Sequence, residues 1–242
     1  MSTLVAFLAF AVVALLYSSV GHGGASGYLA LGALMGLGQT EMRMPALMMN
    51  LVVSAIAFVQ FLRFDHFRWA VFWPFAITSI PMAWLGSTLV LDPLRFEQLL
   101  AVALLLAAAR LLGLFGPGSE GSRPLVLPAA LMLGGAMGLA SGLIGIGGGI
   151  FLSPLLILLR WANAHTAAAV SALFILVNSG AGVVGAGMRG ETVPAEAWAW
   201  MVASAVGALV GSWSGARRFN PSWLQRLLGV VLLLACMKLL LP

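Results

Sequence analysis

Gly21-His22-Gly23-Gly24 and Gly145-Ile146-Gly147-Gly148-Gly149 interrupt two of the most apolar stretches of a 242-residue chain. Position 145 against 21 and 148 against 24 give one constant offset of 124 residues. A glycine inside a helix costs roughly 1 kcal/mol relative to alanine, so runs of this density mark an interruption. Within a bilayer, interrupted helix is tolerated only where protein or a watery cavity receives the freed backbone groups. Paired interruptions in corresponding halves of a chain point to a transport site.

The surrounding composition is that of a membrane protein. Hydrophobic residues make up 62% of the chain and charged residues 8%, with a mean hydropathy of +1.06; soluble domains carry about a quarter charged residues. Apolar blocks fall at 4–37, 45–62, 69–90, 98–115, 125–159, 166–187, 197–215 and 224–241. Most have the length of one span, about 17–25 residues. The expected fold class is therefore an all-α polytopic membrane protein with eight hydrophobic segments, the first and fifth broken at their glycines. Met1-Ser2-Thr3 lacks the basic start of a signal peptide, so the first segment is expected to remain in the protein. The net charge of +5 comes from scattered arginines, without the cationic run that a nucleic acid needs. Cys236, the single cysteine, allows neither an internal disulfide nor a cysteine metal cluster and reads as a packing residue. No cofactor is expected.

The halves repeat each other beyond the glycines. Gly86-Ser87 recurs as Gly211-Ser212 at an offset of 125. Asp92-Pro93, Leu99-Leu100 and Arg110 recur as Asn220-Pro221, Leu227-Leu228 and Lys238 at 128. Residues 1–115 and 125–242 read as two transmembrane repeats, with a Gly/Ser/Pro-rich linker at 116–124 between them. As unbroken helices, blocks one and five would run to roughly 50 Å, against a hydrocarbon core of about 30 Å. If each turns back on itself, the basic residues at 63, 68, 110, 123, 160, 217, 218 and 226 share one side, leaving 43, 95, 189 and 238 on the other. The positive-inside rule favours that split. It makes the repeats inverted and puts both termini outside the cytoplasm.

The chemistry expected at the breaks is anion binding. A half-helix that starts after a glycine turn aims unpaired N–H groups and the positive end of its dipole at the turn. Gly21, His22, Gly23, Gly24, Gly145, Gly147, Gly148 and Gly149 are the candidates for this cradle. Ser26, Asn50, Ser171 and Asn178 are polar residues within apolar blocks, able to line the cavity or to join helices. His22, the histidine inside an apolar block, is a candidate anion ligand or proton carrier; its bland alternative is a helix-end bond to a carbonyl. Ser18 and Ser19 read as back-bonded helix serines. None of the basic residues is expected deep in a span. His66 and His165 are expected in solvated loops, and the Met42, Met44, Met48 and Met49 group as gap-filling and not a copper site. Trp69, Trp73, Trp161, Trp198 and Trp223 read as interfacial. Gly180, Gly182, Gly185 and Gly187 suit close helix packing or a homodimer face.

These residues resemble the sulfite exporter TauE/SafE family of bacterial anion permeases. The second half carries Gly142-Leu143-Ile144-Gly145-Ile146-Gly147-Gly148-Gly149, Pro154 and Ala167-Ala168-Ala169-Val170-Ser171; the first carries Tyr17-Ser18-Ser19-Val20-Gly21-His22-Gly23-Gly24-Ala25-Ser26-Gly27. The first half departs from the pattern at Ala30, opposite Pro154, and at Asn50, near the place of Ser171. The resemblance implies a multi-pass protein of the bacterial inner membrane that moves sulfite, sulfonates or related small anions. An anion channel is the alternative, although inverted halves suit alternating access better. Gly24-Ala25-Ser26-Gly27 also resembles the nucleophile motif of rhomboid proteases, with His165 as an imaginable base. Its position after half a block, and Ile150 opposite Ser26 in the repeat, oppose an enzyme.

Overall fold

The computed structural model describes residues 3–89, 92–114 and 123–217, together with positions 230, 232, 233, 236 and 237. Nearly all of the 116–124 linker and of the last apolar block, with Asn220-Pro221, Trp223, Leu227-Leu228 and Lys238, lie outside the described residues. Among the described residues the fold is all helical: α1 (Thr3–Ser18), α2 (Ala25–Met35), α3 (Gln39–Arg63), α4 (Trp69–Thr88), α5 (Pro93–Leu111), α6 (Leu127–Ile144), α7 (Gly149–Leu158), α8 (Ala164–Met188) and α9 (Ala195–Ala216). Five of them, α3, α4, α6, α8 and α9, are long and apolar enough to cross a membrane. Side chains that would meet water in a soluble protein are instead aliphatic or aromatic: Ile77, Val102, Val184, Trp198 and Val202 are all more than half exposed.

Helix limits follow local chemistry. Asp92 Oδ1 accepts from the Arg95 N–H at the start of α5, and Asn163 Oδ1 from the Thr166 N–H at the start of α8, each satisfying an orphan donor of the first turn. Glycines set the other boundaries. Gly24 and Gly148, both left-handed, precede α2 and α7, and left-handed Gly145 ends α6.

Both broken segments turn back on themselves. Tyr17 Oη lies 2.9 Å from Ser26 Oγ and the Phe10 ring 5.7 Å from that of Tyr28, so α2 runs antiparallel to α1. The second hairpin, α6–α7, is closed at its open end by the Arg123 N–H donating to Arg160 O at 2.6 Å.

Two stripes of small residues hold the pairs together. Gly134, Gly138 and Gly142 of α6 lie against the backbone of Phe75, Ser79 and Ala83 of α4. Gly207, Gly211 and Gly215 of α9 lie in the same way against Ala11 and Leu15 of α1 and Ser19 just beyond its end. A spacing of four puts each trio on one helix face, and glycine lets the backbones approach closely. In both pairs the numbering rises together, so the paired helices are parallel. Each joins a helix from one half of the chain to a helix from the other. Gly182 and Gly185 likewise face inward, against Leu47 and against Ser87 and Trp84, which assigns them to packing within the chain.

The ends of the molecule are distinct. One gathers the start of α3, the ends of α4 and α6 and the α8–α9 connection, through Arg43 and Arg189. The other gathers the end of α3, the start of α8 and the end of α9: His66 Nε2 bonds Ala216 O, and the His66 and His165 rings lie 4.6 Å apart. These two histidines are half-buried against each other, where solvated loops were expected. Trp161 is buried, with its ring 6.1 Å from that of Phe75. Met42, Met44 and Met49 are buried apolar filling, Met42 directly against Gly32.

Candidate functional site

The two breaks share one closing hydrogen bond. In the first, the His22 N–H donates to Tyr17 O at 2.9 Å; in the second, the Ile146 N–H donates to Ser141 O at 3.2 Å. Donor and acceptor are each displaced by the same 124 residues that separate the glycines. Left-handed φ values recur at Gly21 (76°) and Gly145 (83°), and at Gly24 (96°) and Gly148 (76°). An L-residue adopts this conformation only at a cost, which is why glycine stands at all four.

Asn50, fully buried in α3, joins the breaks. Its Oδ1 accepts from the Ala25 N–H at 3.0 Å, capping the first residue of α2. Its Nδ2 donates to Ile146 O at 3.1 Å and to Ser179 Oγ at 3.2 Å. Asn50 is 11 residues from the start of α3 and 13 from its end, about 16 and 20 Å along the axis, so the junction sits near half depth. Gly23 and Gly147 flank it. A Cβ on Gly23 would collide with Asn50 Oδ1, and one on Gly147 would come within 2.7 Å of Asn50 Nδ2 and of Ser179 Oγ.

From this junction the half-helices diverge. α2 runs toward the end that carries Arg43, and α7 toward the opposite end, where Arg160 meets Arg123. Their N-termini therefore meet at the junction, so two positive dipole ends converge there.

The remaining candidates have their own neighbours. Gly21 packs on the Ala168 backbone and Gly149 on Ile175; Gly148 lies against Phe174. His22 is buried, with Nδ1 3.0 Å from Val20 O, the helix-end bond that was its bland alternative. Ser26 is engaged by Tyr17, while His165 lies against His66 at the far end; no serine–histidine dyad forms between these two. Ser171 Oγ accepts from Ser153 Oγ at 2.7 Å. Asn178 Nδ2 donates back to Phe174 O at 2.8 Å, leaving its buried Oδ1 without a hydrogen-bond partner. Gly145 lies apart from the junction, its α-carbon facing Arg43 Cγ.

Three participants escaped the sequence reading. Ser179 and Ile175 gave no signal beyond standing on the helix of Ser171 and Asn178, Ile175 four residues after the first and Ser179 directly after the second. Arg43 is the larger correction. It falls in a polar break between blocks, yet it is 1% exposed and donates to Gly142 O at 2.6 Å, Ser87 O at 3.1 Å and Glu191 Oε1 at 3.2 Å. The carbonyl ends of α4 and α6 and one carboxylate replace the water it gives up.

Comparison with known proteins gives the family. The sulfite exporter TauE/SafE family model matches residues 6–239. The chain belongs to that family. It is also 36% identical over 239 residues to a probable membrane transporter protein, y4hK, of Sinorhizobium fredii (strain NBRC 101917 / NGR234), covering 96% of each chain. No solved structure matches. This TauE/SafE protein is accordingly a multi-pass membrane transporter and not an enzyme.

Proposed function

We propose that this TauE/SafE protein is a permease for a small sulfur oxyanion or organosulfonate such as sulfite, held between the two glycine breaks and passed by alternating access. The observation that carries the reading is the junction at Asn50, where the N-termini of α2 and α7 meet with glycine on both sides. Backbone N–H groups in that arrangement bind an anion without a lysine or arginine at the centre. A centre free of fixed cations also releases its cargo readily.

Opposed hairpins support two inverted halves. α1 ends beside Gly215, at the end marked by His66, whereas α6 ends beside Ser87, at the end marked by Arg43. The repeated helix therefore enters from opposite sides, the arrangement that suits alternating access. The halves 1–115 and 125–242 would then exchange roles as the site opens to one side and the other. Within the cradle, Gly21, Gly23, Gly24, Gly147, Gly148 and Gly149 supply backbone, while His22, Ser26, Ser171 and Asn178 supply the polar rim. The eight-to-four split of Lys and Arg residues supports a topology with the Arg43 end, and both termini, outside the cytoplasm of a bacterial inner membrane.

The test is counterflow in proteoliposomes. Vesicles preloaded with sulfite should take up labelled sulfite faster than empty ones, and the flux should saturate. Flux that neither saturates nor responds to internal sulfite would make the protein a channel.

A further inference from the structure

The α8–α9 connection carries a charge cluster that the glycine-break site does not use. Arg43 Nη1 and Arg189 Nη2 converge on a single oxygen, Glu191 Oε1, at 3.2 and 3.0 Å. Each guanidinium is anchored elsewhere by its other terminal nitrogen. Arg43 Nη2 donates to Gly142 O at 2.6 Å and Ser87 O at 3.1 Å. Arg189 Nη1 donates to Leu89 O at 2.8 Å and Ser87 O at 3.3 Å. These carbonyls close α4 and α6, and helix C-termini favour a cation. Both arginines thus keep their positions whether or not Glu191 is present, and the carboxylate is the replaceable member.

Charge and bonding agree with that reading. Two guanidiniums share one carboxylate, leaving the trio with an excess positive charge. Two of its buried polar atoms, Arg43 Nε and Glu191 Oε2, have no hydrogen-bond partner. Glu191 and Arg189 also line a cavity of about 650 Å³, with Met35, Leu37 and Trp200 on its walls. Glu41 and Glu196 line it as well, but both are exposed and screened by water, and Glu41 Oε2 accepts from the Gly38 N–H. Glu191 follows Gly190, whose φ of +77° is freely open to glycine.

We propose that Arg43 and Arg189 form a second oxyanion-binding site at the mouth of this cavity, occupied here by the Glu191 carboxylate, which an incoming sulfonate, sulfite or carboxylate displaces. Two guanidiniums held in place present N–H groups to any such oxyanion as they do to Glu191. The proposal does not depend on the site at the glycine breaks, since Arg43 meets Gly145, which lies apart from the junction.

Thermal melting of the purified protein against methanesulfonate tests it, because a ligand of the folded state raises the melting temperature. Glu191→Gln removes the competing charge and should bind methanesulfonate roughly tenfold more tightly than the unmodified protein. Adding Arg189→Gln should cancel that gain. Glu191→Ser serves the same purpose if the glutamine variant does not fold. If only the glycine-break site is wrong, the unmodified protein still responds, at the higher concentrations its weaker mouth site needs, and Glu191→Gln keeps its roughly tenfold gain. Equal responses in all three proteins, or none in any of them, overturn the mouth site.

Discussion

Gly23 and Gly147, one in each break, face the same methyl group. A Cβ on Gly23 would stand 3.0 Å from Ile175 Cγ2 and one on Gly147 2.8 Å from it. Residues distant in sequence thus lie on either side of one α8 side chain, with Asn50 bonded to both breaks beside them. The convergence of the breaks follows from this relationship.

Alanine at either glycine should abolish transport. At Gly147 the left-handed φ of 73° adds backbone cost, about 1–2 kcal/mol, to the crowding of Asn50 and Ser179. At Gly23 the new methyl would push Asn50 away from the Ala25 N–H. Uptake of labelled sulfite should fall at least roughly tenfold, equivalent to about 1.4 kcal/mol of lost barrier lowering, with protein in the membrane by immunoblot unchanged. Full uptake in both variants would remove the breaks from the transport path.

Asn50→Asp separates anchoring from charge. The aspartate keeps an acceptor for Ala25 but cannot donate to Ile146 O or Ser179 Oγ, and it sets a negative charge against the cargo. Sulfite binding should disappear while the helical circular dichroism stays. Asn50→Ala, which deletes the cap altogether, should cost about 1–2 kcal/mol and show as a lower melting temperature.

Neighbouring glycines of α6 should respond in opposite directions. Gly138 is pressed against the Ser79 backbone, and a Cβ there has no room; one on Gly135 would find only Met82 and Thr78 at 3.8 Å. Gly138→Ala should lower the melting temperature in detergent. Gly135→Ala should leave it unchanged or raise it, up to the roughly 1 kcal/mol of helix propensity gained. Equal destabilisation by the two would contradict the stripe.

Arginines at the two kinds of site should differ as sharply. Arg43→Met leaves Gly142 O without its donor inside the protein and Glu191 and Ser87 O with Arg189 alone, an effect of about 1–3 kcal/mol. Arg95, whose side chain is 76% exposed in its pair with Asp92, should cost under about 1 kcal/mol as alanine. Melting curves of the two variants side by side decide this.

Much of the architecture was written in local pattern. The glycine runs marked both interruptions because a helix break needs left-handed backbone at specific residues, and Asp92-Pro93 announced the start of α5. Apolar blocks found the long helices for the same reason. Tertiary partners were less legible. Arg43 looked like a loop cation because nothing nearby reveals that Ser87 O, Gly142 O and Glu191, brought from three other parts of the chain, would enclose it. Asn50 was recognised as a polar residue in an apolar block, but its role as a clamp depends on the distance between two turns. The stripes at 134, 138, 142 and 207, 211, 215 stand in the sequence as a period of four, a sparser signal than the glycines at 180–187.

The parallel pairs α1–α9 and α4–α6 carry a last consequence. Each half of the polypeptide lends a helix to the other, like fingers of two clasped hands. Residues 1–115 made alone would present the α1 backbone with no α9 to cover it, and α4 would lose α6 in the same stroke. A gene split at the midpoint should therefore yield fragments that are degraded singly and recovered only when both are synthesised in one cell.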